Sequence, residues 1–280
     1  MDASAQIAER RGEVAGTSVT WLEAEPAGPG APVLYLHGVP TSARDWRPFL
    51  ERTGGYALDL PGFGRSSKSA AFDYSIPGYS RFLHGFAEHL GLERLSLLVH
   101  DWGAVGLALA QDRPESVERL VVMDAVPFLP GYRWHQTARI WRTPVLGELS
   151  MGFATKWGAK RLGRRMGTLP QRDLDGWVEE NWPFFDHGTQ RAILKLYRSA
   201  PSDVLARAGE RLGDLTAPAL VLWGERDPFL PTRFAHAYGE ALGGEARVEI
   251  VERAGHWPWL DRPEVVDTIA GFLMGSPARR

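Results

Sequence analysis

With 280 residues, 44% of them hydrophobic and 24% charged, the chain has the size and composition of one large α/β domain carrying an insertion, or of two ordinary domains. A formal net charge of −2 gives no electrostatic footprint for nucleic acid or acidic lipid, and the absence of cysteine excludes disulfides, thiol chemistry and thiolate metal sites. Met1 to Gly12 is polar without an apolar signal core, and no apolar run approaches a membrane span. The expectation is therefore a cytoplasmic protein with no membrane partner.

In chain order, residues 1–16 read as an irregular lead-in, and Thr17 to Glu23 alternates as a strand does. Val33 to Leu36 is a continuous apolar run, the pattern of a strand buried on both faces, and it ends in His37-Gly38-Val39-Pro40. A second short strand, Tyr56 to Leu60, ends in Pro61-Gly62-Phe63-Gly64. Tyr79, Phe82, Leu83, Phe86 and Leu90 then mark an amphipathic helix. Leu97 to Asp101 is the next buried strand, Val105 to Ala110 its helix, and Leu120 to Met123 the strand after it. This alternation predicts a parallel sheet covered on both faces.

The rhythm stops after Pro127. Residues 128–212 are helical in pattern and hold Trp134, Trp141, Trp157, Trp177 and Trp182, which predicts an apolar helical lid inserted into one core formed by residues 1–127 and 213–280. Lys156, Lys160, Arg161, Arg164 and Arg165 form a basic run read as a solvated helix face. Strands return at Ala219 to Trp223 and Val248 to Val251, with helices over Thr232 to Leu242 and Glu264 to Leu273.

Leu97-Leu98-Val99-His100-Asp101-Trp102-Gly103 reads as a buried strand that turns sharply into a helix. That strand–turn–helix presents one side chain at the carboxyl edge of a sheet. The presented residue is Asp101. A carboxylate is already ionised at neutral pH, so it attacks saturated carbon without a base and leaves an ester for water to cleave. The competing structural reading is a helix cap. Two further strands end in Gly224-Glu225-Arg226-Asp227-Pro228 and Gly255-His256-Trp257-Pro258. The carboxyl ends of parallel strands open on one crevice, so Asp101, Asp227 and His256 converge there. His256 takes the proton of the attacking water, and Asp227 orients and stabilises the imidazolium. Asp124, also just past a strand, is the rival for the acid position.

On His37-Gly38-Val39-Pro40, Asp59-Leu60-Pro61-Gly62-Phe63-Gly64, His100-Asp101-Trp102-Gly103, Gly224-Glu225-Arg226-Asp227 and Gly255-His256, the chain resembles the α/β-hydrolase superfamily over residues 17–126 and 213–275. It is most similar to the branch with an Asp nucleophile, the epoxide hydrolases and haloalkane dehalogenases. The resemblance implies the α/β-hydrolase fold and an oxyanion hole from the backbone amides of Val39 and Trp102, with a cis Val39–Pro40 peptide. It implies substrate contacts from His37, Trp102, Trp141 and Trp157. It implies a small apolar substrate with water as co-substrate. The eight histidines show no H-x-x-x-H or H-E-x-x-H spacing and no glycine-rich nucleotide loop follows the first strand, so neither a metal nor a dinucleotide cofactor is expected.

Within the branch, a dehalogenase resembling the family holds its halide with the indole of Trp102 and a second donor. Val39 replaces the common Asn there, which leaves Trp141 or Trp157. An epoxide hydrolase uses a tyrosine acid, and Tyr197 stands about where that family carries one, with Tyr132 a weak partner. Val99 departs from the usual Gly of epoxide hydrolases, and Val39-Pro40-Thr41-Ser42 is closer to the dehalogenase loop. The missing Asn and Tyr197 incline the expectation to an epoxide hydrolase, with haloalkane dehalogenase as the alternative. A fluoroacetate-type dehalogenase resembles His-Asp-Arg-Gly at the elbow and does not fit Trp102. A catalytically silent binding protein is disfavoured because all three triad positions are filled.

Overall fold

A computed structural model of the chain describes residues 6–166 and 171–275. Eight strands form one sheet: β1 (Ala8–Val14), β2 (Thr17–Ala24), β3 (Val33–Leu36), β4 (Gly55–Leu58), β5 (Leu95–Asp101), β6 (Val117–Ala125), β7 (Ala219–Gly224) and β8 (Ala246–Val251). Their order is β1-β2-β4-β3-β5-β6-β7-β8. The first two pairings, β1 with β2 and β2 with β4, are antiparallel, and the other five are parallel. The chain thus goes outward from β3 to β4 and returns across β3 to β5. That reversal opens a crevice at the carboxyl ends of β3 and β5, the place where such sheets bind ligands.

The lead-in expected to be irregular contains β1. Its sequence, Ala-Glu-Arg-Arg-Gly-Glu-Val, carries no alternation because it is a largely exposed edge strand, and its charges suit an unpaired edge. Most other strands contain their expected cores and extend past some of them, at Leu95 and Val117 for example, but β4 ends at Leu58, so Asp59 and Leu60, expected within it, belong to the turn that follows.

The helices are α1 (Arg47–Thr53), α2 (Ile76–His89), α3 (Gly106–Asp112), α4 (Gln136–Arg142), α5 (Leu146–Gly152), α6 (Lys156–Met166), α7 (Gln171–Asn181), α8 (His187–Ser199), α9 (Ser202–Ala208), α10 (Arg233–Ala241), α11 (Pro258–Asp261) and α12 (Glu264–Leu273). Strand alternation explains why two cores form. Leu97 and Val99 of β5 pack on one face with Leu83 and Phe86 of α2 and Tyr238 of α10. Leu98 points to the other face, with Phe49 of α1 and Ile269 of α12. Each fully buried Leu or Phe stabilises the fold by roughly 1.5–3 kcal/mol relative to exposure. Six helices, α4 to α9, lie between β6 and β7 in the sequence. Among the described residues, no helix is long and apolar enough to cross a membrane.

The basic run on α6 does not simply face water. Lys156 and Lys160 pair with Glu179 of α7, and Arg164 pairs with Asp175, so this face is the seam between two helices. The Arg165 side chain lies outside those described.

Candidate active site

Asp101 ends β5 in a backbone conformation, φ +49 and ψ −121, that few non-glycine residues adopt. Glycines make the turn sterically feasible. A Cβ on Gly103 would stand 2.1 Å from the Leu36 carbonyl oxygen, and one on Gly38 would stand 2.3 Å from the Asp101 Cβ. The elbow is thus pressed against the loop after β3. In that loop the Val39–Pro40 peptide is cis. The Val39 amide donates to Asp101 Oδ1 at 2.7 Å, so the expected oxyanion donor already touches the carboxylate.

Asp227 and His256 arrive from the loops after β7 and β8. A Cβ on Gly224 would meet the Gly255 carbonyl oxygen at 2.0 Å, so glycine here lets the two loops touch. Trp223 Nε1 donates to the Leu230 carbonyl and fixes the Asp227 loop. Asp227 Oδ1 accepts from the amides of Phe229 and Leu230, and its Oδ2 lies 2.7 Å from His256 Nδ1. His256 Nε2 faces Asp101 Oδ2 at 3.6 Å. The His100 ring packs against that of His256 at a tilt of 44°, centroids 4.7 Å apart, and its Nε2 donates to the His256 carbonyl at 2.7 Å, holding the loop from below.

The electrostatics follow from burial and pairing. Burial lowers the basicity of His256, but the carboxylates of Asp227 and Asp101 outweigh it and hold the imidazolium well above its usual range. Burial would raise Asp101, yet His256 and the Val39 amide keep it below the usual carboxylate range. Asp124, the rival acid, is fully buried with Oδ1 accepting from the Gly224 amide. Burial and the neighbouring Asp227 charge raise it well above an ordinary carboxyl. A carboxyl oxygen of Asp124 lies within 4.8 Å of one of Asp227. Two carboxylates at such a distance repel by about 3 kcal/mol at an effective dielectric of about 20. The hydrogen bond to His256 belongs to Asp227.

A cavity of about 350 Å³ opens above Asp101, with Val39, His256, Phe229 and Tyr197 among its lining residues and most of its wall supplied by α4 to α8. Trp141 lines it, standing edge-on to Tyr197 at 5.1 Å. Three of the expected substrate contacts are placed elsewhere. His37 is buried behind the loop, its Nε2 accepting from the Leu60 amide and its Nδ1 bonded to the Gly38 carbonyl, so both ring nitrogens serve the backbone. Trp157 is 70% exposed with Arg161 over its ring. The small residues Gly158, Ala159 and Gly163 form the inner face of α6 at the cavity, which turns Trp157 outward. Trp102 is buried behind the cavity wall in a three-ring cluster with Trp134 and Tyr197, each ring in contact with the other two, and its indole bears on the Tyr197 phenol. The Tyr197 ring therefore stands between the indoles of Trp102 and Trp141. Tyr132 is buried too and is not part of the cavity lining.

His135 lines the cavity and was not anticipated. It caps α4, its Nδ1 accepting from the Ala138 amide at 3.3 Å. A neutral ring with Nδ1 as acceptor carries its proton on Nε2. Burial keeps the ring neutral, with its pKa pushed down to about 4. The sequence signal was weak, since histidine is not among the preferred capping residues.

A family model described as the alpha/beta hydrolase fold matches residues 31–263. A haloalkane dehalogenase of Mycolicibacterium paratuberculosis is 33% identical, covering 87% of this chain and 83% of that protein. Epoxide hydrolase 3 of Xenopus tropicalis is 26% identical, covering 85% of this chain and 69% of that protein. Among solved structures, the haloalkane dehalogenase DbeA from Bradyrhizobium elkani USDA94 superimposes with a TM-score of 0.79 at 25% identity, covering 96% of this chain and 98% of that one.

Proposed function

The chain belongs to the α/β-hydrolase fold family, and from that premise we propose that it hydrolyses small apolar halogenated alkanes through an ester on Asp101. The observation that carries this is the Asp101–His256–Asp227 array, at 3.6 and 2.7 Å, beneath a largely apolar wall. Asp101 attacks the carbon that bears the halogen and the halide departs. Esterification removes the Asp101 charge, which is one of the groups holding His256 protonated. His256 loses its proton to solvent and becomes the base for water. Water attacks the ester carbonyl, its proton goes to His256 Nε2, and the oxyanion is held by the Val39 amide with that of Trp102. The intermediate then collapses and the bond from the carbonyl carbon to the alkyl oxygen breaks. The alcohol leaves with a proton returned by His256, and the Asp101 carboxylate is restored. Asp227 stabilises the imidazolium throughout.

The choice of halide as leaving group rests on the relatives, whose haloalkane dehalogenases match over most of the chain at up to 33% identity. This reverses the weight that the sequence alone put on epoxides. Halide departure needs N–H or O–H donors but no proton transfer. We assign His135 Nε2–H and the Tyr197 hydroxyl to that task, with Trp102 supporting Tyr197 from behind. Residues 128–212 act as the lid over a core of 1–127 and 213–280.

One observation favours epoxide opening as a second reading. Tyr197 lines the cavity, and burial together with the Asp101 charge raises its pKa well above the usual value, so it stays protonated as an acid must. A substrate panel of bromoalkanes and styrene oxide-type epoxides, read by halide release and diol formation, separates the readings. Halide release without diol formation is expected. Activity on neither class overturns the proposal.

A further inference from the structure

The mechanism leaves one buried acid unused. Register between β5 and β6 runs His100 opposite Met123 and then Asp101 opposite Ala125, so Asp124 is an extra residue that the ladder skips. Its φ of +38 is the left-handed backbone of such a bulge, and bulges re-aim side chains. Here the side chain is completely buried at the end of β6. Oδ1 accepts from the Gly224 amide, and Oδ2 has no hydrogen-bond partner among the described residues. The titratable groups that reach it are Asp227, from the loop after β7, and His256, from the loop after β8. Asp227 already accepts from two amides and from His256, which leaves about one of the four lone-pair positions of its carboxylate open.

We propose that Asp124 is a positioning residue that carries a proton on Oδ2 and offers it to Asp227, so that the two buried carboxyls share one negative charge opposite His256. The inference builds on the reaction assigned above. One charge stabilises an imidazolium that must form and then discharge. Two would hold His256 protonated and unable to accept a proton from water. Burial and the Asp227 charge raise Asp124 in the direction this requires. An amide at position 124 keeps the acceptor for Gly224 and a donor toward Asp227, so Asp124→Asn retains the arrangement and cannot ionise.

The test is infrared spectroscopy of the free enzyme at about pH 9, where ordinary carboxyls are ionised and Asp45, at about 7, is ionised too. A protonated-carboxyl C=O band is expected in the wild type and its loss in Asp124→Asn. This readout needs no substrate, so it stands whether or not halide is the leaving group. On whichever substrate is turned over, hydrolysis should fall at high pH in the wild type as Asp124 ionises, and the fall should vanish in Asp124→Asn. Absence of the band from the wild type overturns the proposal even if the variant does not fold. So does an Asp124→Asn enzyme as inactive as Asp227→Asn, because Asp124 would then be an ionised acid of the triad.

Discussion

The Tyr197 ring stands edge-on to the Trp102 indole, ring centroids 5.2 Å apart and planes at 74°, and of the two only Tyr197 lines the cavity. Trp102 therefore backs the tyrosine, and in the proposed reaction Tyr197 is the one of the two that meets the leaving atom. If the leaving atom is halide, Tyr197→Phe removes one hydrogen bond. The expected loss is roughly tenfold, the kinetic equivalent of about 1–1.5 kcal/mol. If the leaving atom is an epoxide oxygen, the same change removes the acid and costs roughly 10²-fold or more. Halide-release rates of wild type and Tyr197→Phe decide this. A loss far beyond tenfold would show that halide departure depends on the tyrosine more than one hydrogen bond explains.

In the proposed reaction Asp101 and His256 act in different steps, so their variants should fail differently. Asp101→Asn is expected to abolish turnover, by roughly 10³-fold or more. His256→Gln should still be alkylated and should then stall, because no base activates water. Intact-protein mass spectrometry of His256→Gln after incubation with a substrate of the wild type should find the alkyl adduct, and a peptide map should place it on Asp101. An unmodified protein would argue against the ester.

The alternation of buried strands and helices, and the turns that end them, were legible because each is a local pattern: Val33 to Leu36 and Glu264 to Leu273 are elements with those same limits in the structure. Asp101, Asp227 and His256 were legible for the same reason, each sitting in a short turn at a strand end. β1 was not, because an exposed edge strand has no buried face to impose alternation. The insertion was read as helical without its orientation, which is why Trp157 was expected inside. Whether a tryptophan on α6 faces in or out depends on the pairing of Lys156, Lys160 and Arg164 with α7, a contact between elements that periodicity does not encode.

His135 has two tasks that substitution can separate. It caps α4 through Nδ1, and the proposed reaction uses its Nε2–H as a donor to the leaving halide. Asparagine is a strong capping residue and alanine a poor one. His135→Asn should keep the cap, with stability close to wild type, and lose the ring donor, lowering halide release by about tenfold. His135→Ala should lose both, with a further cost of about 1 kcal/mol in stability. Urea denaturation and steady-state halide release on the two variants test this. Unchanged activity in His135→Asn would remove His135 from the site and leave it a cap alone.

Asp45, in the turn after β3, feels the charge of Glu180 on α7, and its ionisation should contribute to how stability depends on pH. It lies next to Thr41, Asp59 and Glu180 of α7, with Oδ2 buried and lacking a hydrogen-bond partner among the described residues. Burial raises its pKa from 3.8 to about 7, while Thr41 works in the other direction. Between those two values the folded chain holds a proton that the unfolded chain has released, so stability falls as pH rises through this window. Above it, the folded protein carries a buried charge with no salt-bridge partner among the described residues, the adjacent Arg44 pairing with Glu180 instead. Asp45→Asn removes the titration. The variant should exceed the wild type in stability above pH 7 by on the order of 1–3 kcal/mol, the cost of a poorly satisfied buried polar group. The difference should shrink steadily as pH falls and level off near about pH 3, below both values, where the wild-type carboxyl is mostly neutral in the folded and unfolded states alike. Urea midpoints of the two proteins across that range measure it. A constant difference would mean that Asp45 is ionised in the folded protein throughout and that its burial is relieved by solvent.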